Sequence, residues 1–132
     1  MTKVVLITGA SMGIGQAMAK ALAAQGYRVF GTSRKPVSDS LDGFELLPLD
    51  VTSDESVRDC VQTVIQRAGR IDVLVNNAGV ELMGAIEETS IEEVKWIMET
   101  NFFGVLRMVQ VVLPYMRQQR GGQIINISSG LG

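Results

Sequence analysis

The glycines of Gly9-x-x-x-Gly13-x-Gly15 fall between an apolar run, Val4-Val5-Leu6-Ile7, and an amphipathic stretch that begins at Ile14. Glycine at a strand-to-helix junction lets the backbone turn sharply, approach a pyrophosphate closely and pack the helix on the sheet. The free N–H groups and the dipole at the helix start favour negative charge there. A mononucleotide phosphate loop is disfavoured, because Gly13-Ile14-Gly15-Gln16 has no Lys followed by Ser or Thr. In a dinucleotide fold an acid about 20 residues on holds the ribose 2′-hydroxyl, or an Arg accommodates a 2′-phosphate. Here Ser33 and Arg34 follow the second apolar run, and the next acid is Asp39. An acid would repel a 2′-phosphate, whereas Arg34 offers a planar fork of donors and Ser33 a hydroxyl. NADP(H) is the favoured cofactor and NAD(H) the alternative. The plainer readings are a turn that binds nothing and a solvated loop cation.

Other chemistries are excluded by what is missing. The 132 residues include no histidine and a single cysteine, Cys60. A Ser-His-Asp or Cys-His nucleophilic site cannot be built from this chain alone, nor can a zinc site of Cys and His ligands. A lone cysteine forms no internal disulfide, which fits a reducing, cytoplasmic setting. A net charge of −2 argues against a nucleic-acid partner. No apolar run approaches the roughly 20 residues of a membrane span. With 46% hydrophobic and 20% charged residues, the chain reads as one globular domain over 1–132.

The elements that must position these residues follow from periodicity. A continuous aliphatic run predicts a strand buried on both faces at Val4–Ile7, and further strands are predicted at Tyr27–Gly31, Phe44–Leu49, Ile71–Val75 and Gln123–Ile127. Ile14, Ala17, Met18, Ala21 and Leu22 predict the apolar stripe of a first helix that Gly26 terminates. Lys35–Gly43 reads as a polar loop. Thr52-x-x-Glu55 predicts a capping box for a second helix, whose buried face is Val57, Val61, Val64 and Ala68 and whose stop is Gly69. Ser90-x-x-Glu93 predicts another cap, followed by a stripe of Ile91, Val94 and Met98. A further stripe runs through Phe102, Val105, Leu106, Val109, Val112, Leu113 and Met116, with Asn101 near the join and Pro114 in the last turns. Strands alternating with helices predict a Rossmann-like, doubly wound parallel sheet with helices on both faces. The glycine-rich or polar punctuation falls each time at a strand's carboxyl end, where such sheets bind ligands.

Thr8-Gly9-x-x-x-Gly13-x-Gly15, Asp50-Val51, Asn76-Asn77-Ala78-Gly79, Asn101 and Ile127-Ser128-Ser129 together resemble the short-chain dehydrogenase/reductase family, in its order and spacing, over essentially the whole chain. The resemblance implies that Gly9, Gly13, Ile14 and Gly15 line the pyrophosphate and nicotinamide side of the turn, with Ser11 near the adenosine ribose phosphate. It implies that Asp50 accepts from the adenine amino group, with Val51 beside the ring, although Asp50 equally reads as capping the next helix. Asn77, Ala78 and Gly79 would run along the cofactor, Asn77 also stabilising the sheet. Asn101 would bend its helix and hold a water of the proton relay; the plain alternative is an N-cap for the second helical segment. Ser129 matches the catalytic serine that hydrogen-bonds the substrate oxygen, and Ser128 would pack inward. Glu81, Leu82 and Met83 would border the substrate pocket.

The family's reaction is reversible hydride transfer between nicotinamide and a carbonyl or alcohol carbon. Its acid/base pair, Tyr-x-x-x-Lys, follows the serine by roughly a dozen residues, past Gly132. Tyr27 and Tyr115 do not replace it, being followed four residues on by Gly31 and Gln119. The expectation is therefore a chain cut short after the fifth strand of an NADP(H)-dependent oxidoreductase, inactive by itself. The alternative is a noncatalytic dinucleotide-binding or structural half-domain. Its expected partners are a small carbonyl or alcohol substrate and, through the long helix from about Asn101 to Arg117, copies of itself in a dimer or tetramer.

Overall fold

The computed structural model describes residues 2–36, 38, 40, 41, 43–79 and 89–127. The strands are β1 (Val4–Ile7), β2 (Arg28–Ser33), β3 (Ser40–Leu41), β4 (Phe44–Pro48), β5 (Val73–Asn76) and β6 (Gln123–Asn126). The helices are α1 (Gly13–Ala24), α2 (Asp54–Ala68), α3 (Ile91–Met98) and α4 (Gly104–Gln119), with one π-helical turn, Glu99–Phe103, joining the last two. The sheet order is β3-β4-β2-β1-β5-β6. Every pairing is parallel except β3 with β4, so the chain builds a five-stranded parallel sheet with a short antiparallel ribbon at one edge. That ribbon corrects the reading of Lys35–Gly43 as loop alone.

The aliphatic run of β1 forms a strand because both faces of the sheet are covered there, whereas the edge strand β6 is mostly exposed. Val4 and Leu6 enter one core with Phe30, Leu47 and Leu74, while Val5 and Ile7 enter the other with Val29, Phe44, Leu46 and Val75. α2 and α4 cover the first face through Val57, Val61, Val64, Met108, Val112 and Met116. α1 covers the second through Ala19, with Met18, Leu22 and Ala23 packed beside it.

Helix ends and faces carry several corrections. Gly26 and Gly69 take positive φ at their helix ends, as expected. Ser53, not Thr52, caps α2 by accepting from the Ser56 N–H, because the Thr52 hydroxyl and N–H are both committed to Asp50. Ser90 caps α3 by accepting from Glu93 N–H, as its spacing predicts. In α1 the buried positions are Gly15 and Ala19, while Ile14 is 66% exposed. The close approach of α1 to the sheet admits only small residues, which an apolar stripe does not mark. α3 buries no residue, and Ile91, Val94 and Met98 are exposed. α4 turns Gly104, Met108, Val112 and Met116 inward and leaves Leu106 in solvent, and the π-turn before it leaves Phe102 exposed. Pro114 lies inside α4.

Candidate functional site

Strand order reverses at β1: β2 and β4 lie to one side of it, β5 and β6 to the other. Loops leaving β1 and β5 therefore part in opposite directions and open a crevice at the carboxyl ends of the strands. Thr8 stitches that crevice together. Its side chain is 1% exposed, and its Oγ1 accepts from the backbone N–H of Asn77 at 2.9 Å and of Ala78 at 2.8 Å. The Asn77 side-chain amide returns a hydrogen bond to the Gly9 carbonyl at 2.9 Å. Thr32 holds the glycine turn from the other side, its Oγ1 accepting from Gly9 N–H and its carbonyl from Ala10 N–H.

The glycines fit this crowding. A Cβ on Gly15 would stand 2.1 Å from the Gly9 carbonyl oxygen and 2.5 Å from Asn77 Nδ2. Gly9, at φ +67°, would bring a Cβ within 3.0 Å of Ala78 Cα. Gly13 differs: its φ of +62° favours glycine, but nothing lies within 4 Å. At the start of α1, Met12 offers no capping side chain, so its first-turn amides have no side-chain acceptor there.

A cleft of about 310 Å³ opens here, lined by eight residues singled out from the sequence: Gly9, Ser11, Ser33, Arg34, Asp50, Val51, Ala78 and Gly79. Met12, Leu49, Thr52 and Thr100 complete its wall. Gly13, Ile14, Gly15, Asn77 and Asn101 do not line it. Gly15 and Asn77 act behind it on the glycine turn, and Gly13 and Ile14 lie exposed at the start of α1. Asn101 approaches the far end, its Oδ1 lying 2.9 Å from the position of a Cβ on Gly79. Ser128, Ser129, Glu81, Leu82 and Met83 lie outside the described residues. A wider hollow of about 590 Å³ lies around Thr2, Lys3, Gln25, Gly26 and Tyr27, at the amino ends of β1 and β2, away from the glycine turn.

Asp50 does not cap α2, a task that falls to Ser53; it fixes the turn that leads into that helix. Its Oδ1 accepts from Thr52 N–H at 3.0 Å and Thr52 Oγ1 at 2.7 Å, and its own N–H donates to Ser56 Oγ. Those Thr52 hydrogen bonds hold the Asp50 carboxyl below its ordinary pKa of 3.8, against the opposing effect of burial; Arg34 and Arg107 add a smaller pull downward. Asp50 therefore stays an anion beside the cleft. Asn101 does not cap a separate helix. It sits within the π-turn, and α4 begins with helical backbone at Phe103 and no side-chain cap.

Thr8, Thr32, Thr100 and Arg107 were not singled out from the sequence. Arg107 donates from Nε to Asp54 Oδ1 at 2.8 Å, from Nη1 to the Val51 carbonyl at 3.1 Å, and from Nη2 to Glu99. It thus ties α4 to the start of α2, the Val51 wall and the π-turn. Thr8 stood inside the quoted motif, but its acceptor role depends on β5 lying beside β1. Nothing in local spacing marks the other three.

The donors and hollows suit a dinucleotide: backbone held bare of Cβ atoms at the glycine turn, a guanidinium and hydroxyls along the rim, and a carboxylate farther on. The family model for short chain dehydrogenases matches residues 3–132. The 3-ketodihydrosphingosine reductase of Bacteroides thetaiotaomicron is 52% identical over 127 residues, which is 96% of this chain and 47% of the relative. A short-chain dehydrogenase of Streptomyces avermitilis superposes with a TM-score of 0.87 at 42% identity, over 97% of this chain and 49% of that one. ElxO with NADP bound superposes with a TM-score of 0.88 at 35% identity, over 100% of this chain and 58% of its own. The chain spans about half the length of the curated relatives it matches.

Proposed function

This chain belongs to the short-chain dehydrogenase family, and on that premise we propose that it is the cofactor-holding part of an NADP(H)-dependent oxidoreductase acting on a small carbonyl or alcohol. The observation that carries this reading is the convergence of Gly9, Ser11, Ser33, Arg34, Asp50, Val51, Ala78 and Gly79, distant in sequence, on one cleft at the strand-order reversal. The dinucleotide, when bound, supplies the hydride donor or acceptor.

The residues divide the work of holding it. The first-turn amides of α1 and the turn through Gly9, Gly13 and Gly15 face the pyrophosphate. Arg34 and Ser33 receive the 2′-phosphate by charge-assisted hydrogen bonds. Asp50 and Val51 receive the adenine. Thr8 and Asn77 bind no ligand in this reading; they keep the β1 and β5 loops at fixed separation. Asn101 stands at the Gly79 end of the cleft, suited to the proton relay that its family match implies, and Ser129 is assigned to the substrate oxygen on the same ground.

The sequence contains no Tyr-x-x-x-Lys, so the alternative for these residues is a noncatalytic dinucleotide-binding unit. Carbonyl reduction with NADPH by the 132-residue chain alone would overturn the expectation that it is inactive. Exposed Phe102 and Leu106 support pairing of copies through the α4 region. A cytoplasmic setting is proposed from the cysteine content alone.

The test is a titration of NADPH and NADH into wild type and Arg34→Ala. NADPH binding is expected to weaken by about 10-fold relative to NADH, the lower range for hydrogen bonds to a charged group at an exposed site. An unchanged ratio refutes the NADP(H) assignment. Failure of wild type to bind either dinucleotide refutes the whole reading.

A further inference from the structure

The fold treats its sulfur atoms in opposite ways. The Cys60 thiol is 4% exposed, and burial pushes its pKa up to about 12, so it is neither reachable nor ionised at neutral pH. Met108 and Met116 are buried in the core under α4. Met12, by contrast, is 75% exposed, well beyond Met98 at 45%.

Met12 also occupies a particular place. It lines the cleft with Gly9, Ser11 and Arg34, and it is the N-cap residue of α1. The first helical hydrogen bond runs from Gln16 N–H to the Met12 carbonyl, so the amides of Gly13, Ile14 and Gly15 stand ahead of the helical ladder. A serine, threonine or aspartate at the N-cap would occupy such an amide with its own oxygen. The Met12 thioether is a weak acceptor and caps none of them.

Resting on the dinucleotide reading above, we propose that Met12 is a modification site whose oxidation to the sulfoxide by a hydroperoxide weakens dinucleotide binding. The thioether sulfur attacks one peroxide oxygen, and the O–O bond breaks as the S–O bond forms. With hydrogen peroxide, the second oxygen leaves with both hydrogens as water. Sulfur gives up two electrons and the peroxide takes them. The product is a polar side chain whose oxygen carries partial negative charge. That oxygen arises at the start of α1, where open amides and the helix dipole otherwise serve the pyrophosphate. It competes for the same donors and repels the same anion. The fold itself is spared, because Met12 belongs to neither core cluster. A methionine sulfoxide reductase supplied with a thiol reverses the change, releasing water and a disulfide.

The experiment measures Kd for NADPH in wild type, Met12→Leu and Met98→Leu before and after hydrogen peroxide, which is removed with catalase before titration. Peptide mass spectrometry follows each methionine, and the ligand-free unfolding midpoint is recorded beside it. In wild type, Met12 should oxidise ahead of Met108 and Met116, and bound NADP⁺ should slow it. Once Met12 is oxidised, Kd should rise by about 10-fold at an unchanged midpoint, the lower range for a hydrogen bond to a charged group. Sulfoxide reductase with dithiothreitol should restore Kd as Met12 returns to the thioether. Whatever its starting Kd, Met12→Leu should change by less than about 2-fold on peroxide treatment, whereas Met98→Leu should respond as wild type does. A wild-type Kd unmoved after Met12 is fully oxidised overturns the proposal, as does a Met12→Leu protein that loses as much affinity as wild type. A midpoint that falls together with the affinity would trace the effect to core methionines and overturn it too. Untreated wild type that binds no NADPH refutes instead the dinucleotide reading beneath it.

Discussion

Replacing Thr8 by Val isolates the contribution of one atom to the crevice. The two side chains are nearly the same shape, so packing in a site 1% exposed is preserved. What disappears is Oγ1, the acceptor for Asn77 N–H at 2.9 Å and Ala78 N–H at 2.8 Å. Leaving a buried donor unpaired costs about 1–3 kcal/mol, and two are left here. The added methyl recovers about 1 kcal/mol of apolar transfer. The net loss should be about 1–5 kcal/mol, a large share of the roughly 5–15 kcal/mol that holds a domain folded. Urea unfolding followed by far-ultraviolet circular dichroism reads this as a lower midpoint at constant slope. Thr8→Ser keeps the oxygen and should lose no more than about 1 kcal/mol. Dinucleotide affinity should fall with Thr8→Val as well, because Ala78 and Gly79 line the cleft that Thr8 holds in register. A Thr8→Val stability within about 0.5 kcal/mol of wild type would refute the claim that this hydroxyl carries the β1–β5 junction.

Two glycines of one motif should respond differently. Gly15→Ala drives a Cβ against Gly9 O and Asn77 Nδ2 and should cost at least about 2 kcal/mol and dinucleotide binding; Gly13→Ala meets nothing and should cost only about 1–2 kcal/mol of left-handed strain, so equal losses would contradict the geometry. Thr52→Val should raise the Asp50 pKa toward 3.8. A carboxyl depressed on folding stabilises above its unfolded pKa and loses that contribution as pH falls through the folded one. The variant should therefore be less stable at neutral pH, and the gap should close below the ordinary carboxylate range; a gap constant with pH would exclude the linkage. Burial pushes the Cys60 thiol up to about 12, so the folded protein should resist maleimide at mildly alkaline pH and react only on unfolding; prompt labelling of folded protein would place Cys60 elsewhere.

Much of the architecture was legible because burial on both sheet faces leaves a simple mark. Val4–Ile7 can be nothing but continuous apolar sequence when alternate residues enter opposite cores. Gly69 and Ser90 act through their own backbone and side chain, so their positions were readable one at a time. The errors came where two local candidates competed or where the buried residue was small. Thr52 and Ser53 can each cap α2, and only the turn at Asp50 assigns the first away from that task. Ile14 is more hydrophobic than Gly15, yet Gly15 is buried because the Gly9 carbonyl and Asn77 leave no room for a side chain.

The sequence by itself determined the alternation of strands and helices, the glycine turn, and the list of polar residues at strand ends, because each depends on a few neighbouring residues. Only the tertiary structure decided how those residues are joined. Thr8 finds its two donors nearly seventy residues away because β5 pairs beside β1. Arg107 on α4 reaches Asp54 at the start of α2, the Val51 carbonyl and Glu99 of the π-turn because α2 and α4 pack on the same face of the sheet. Hydrogen bonds of this kind depend on distance and direction between groups that strand order brings together, and neither quantity is written in local spacing.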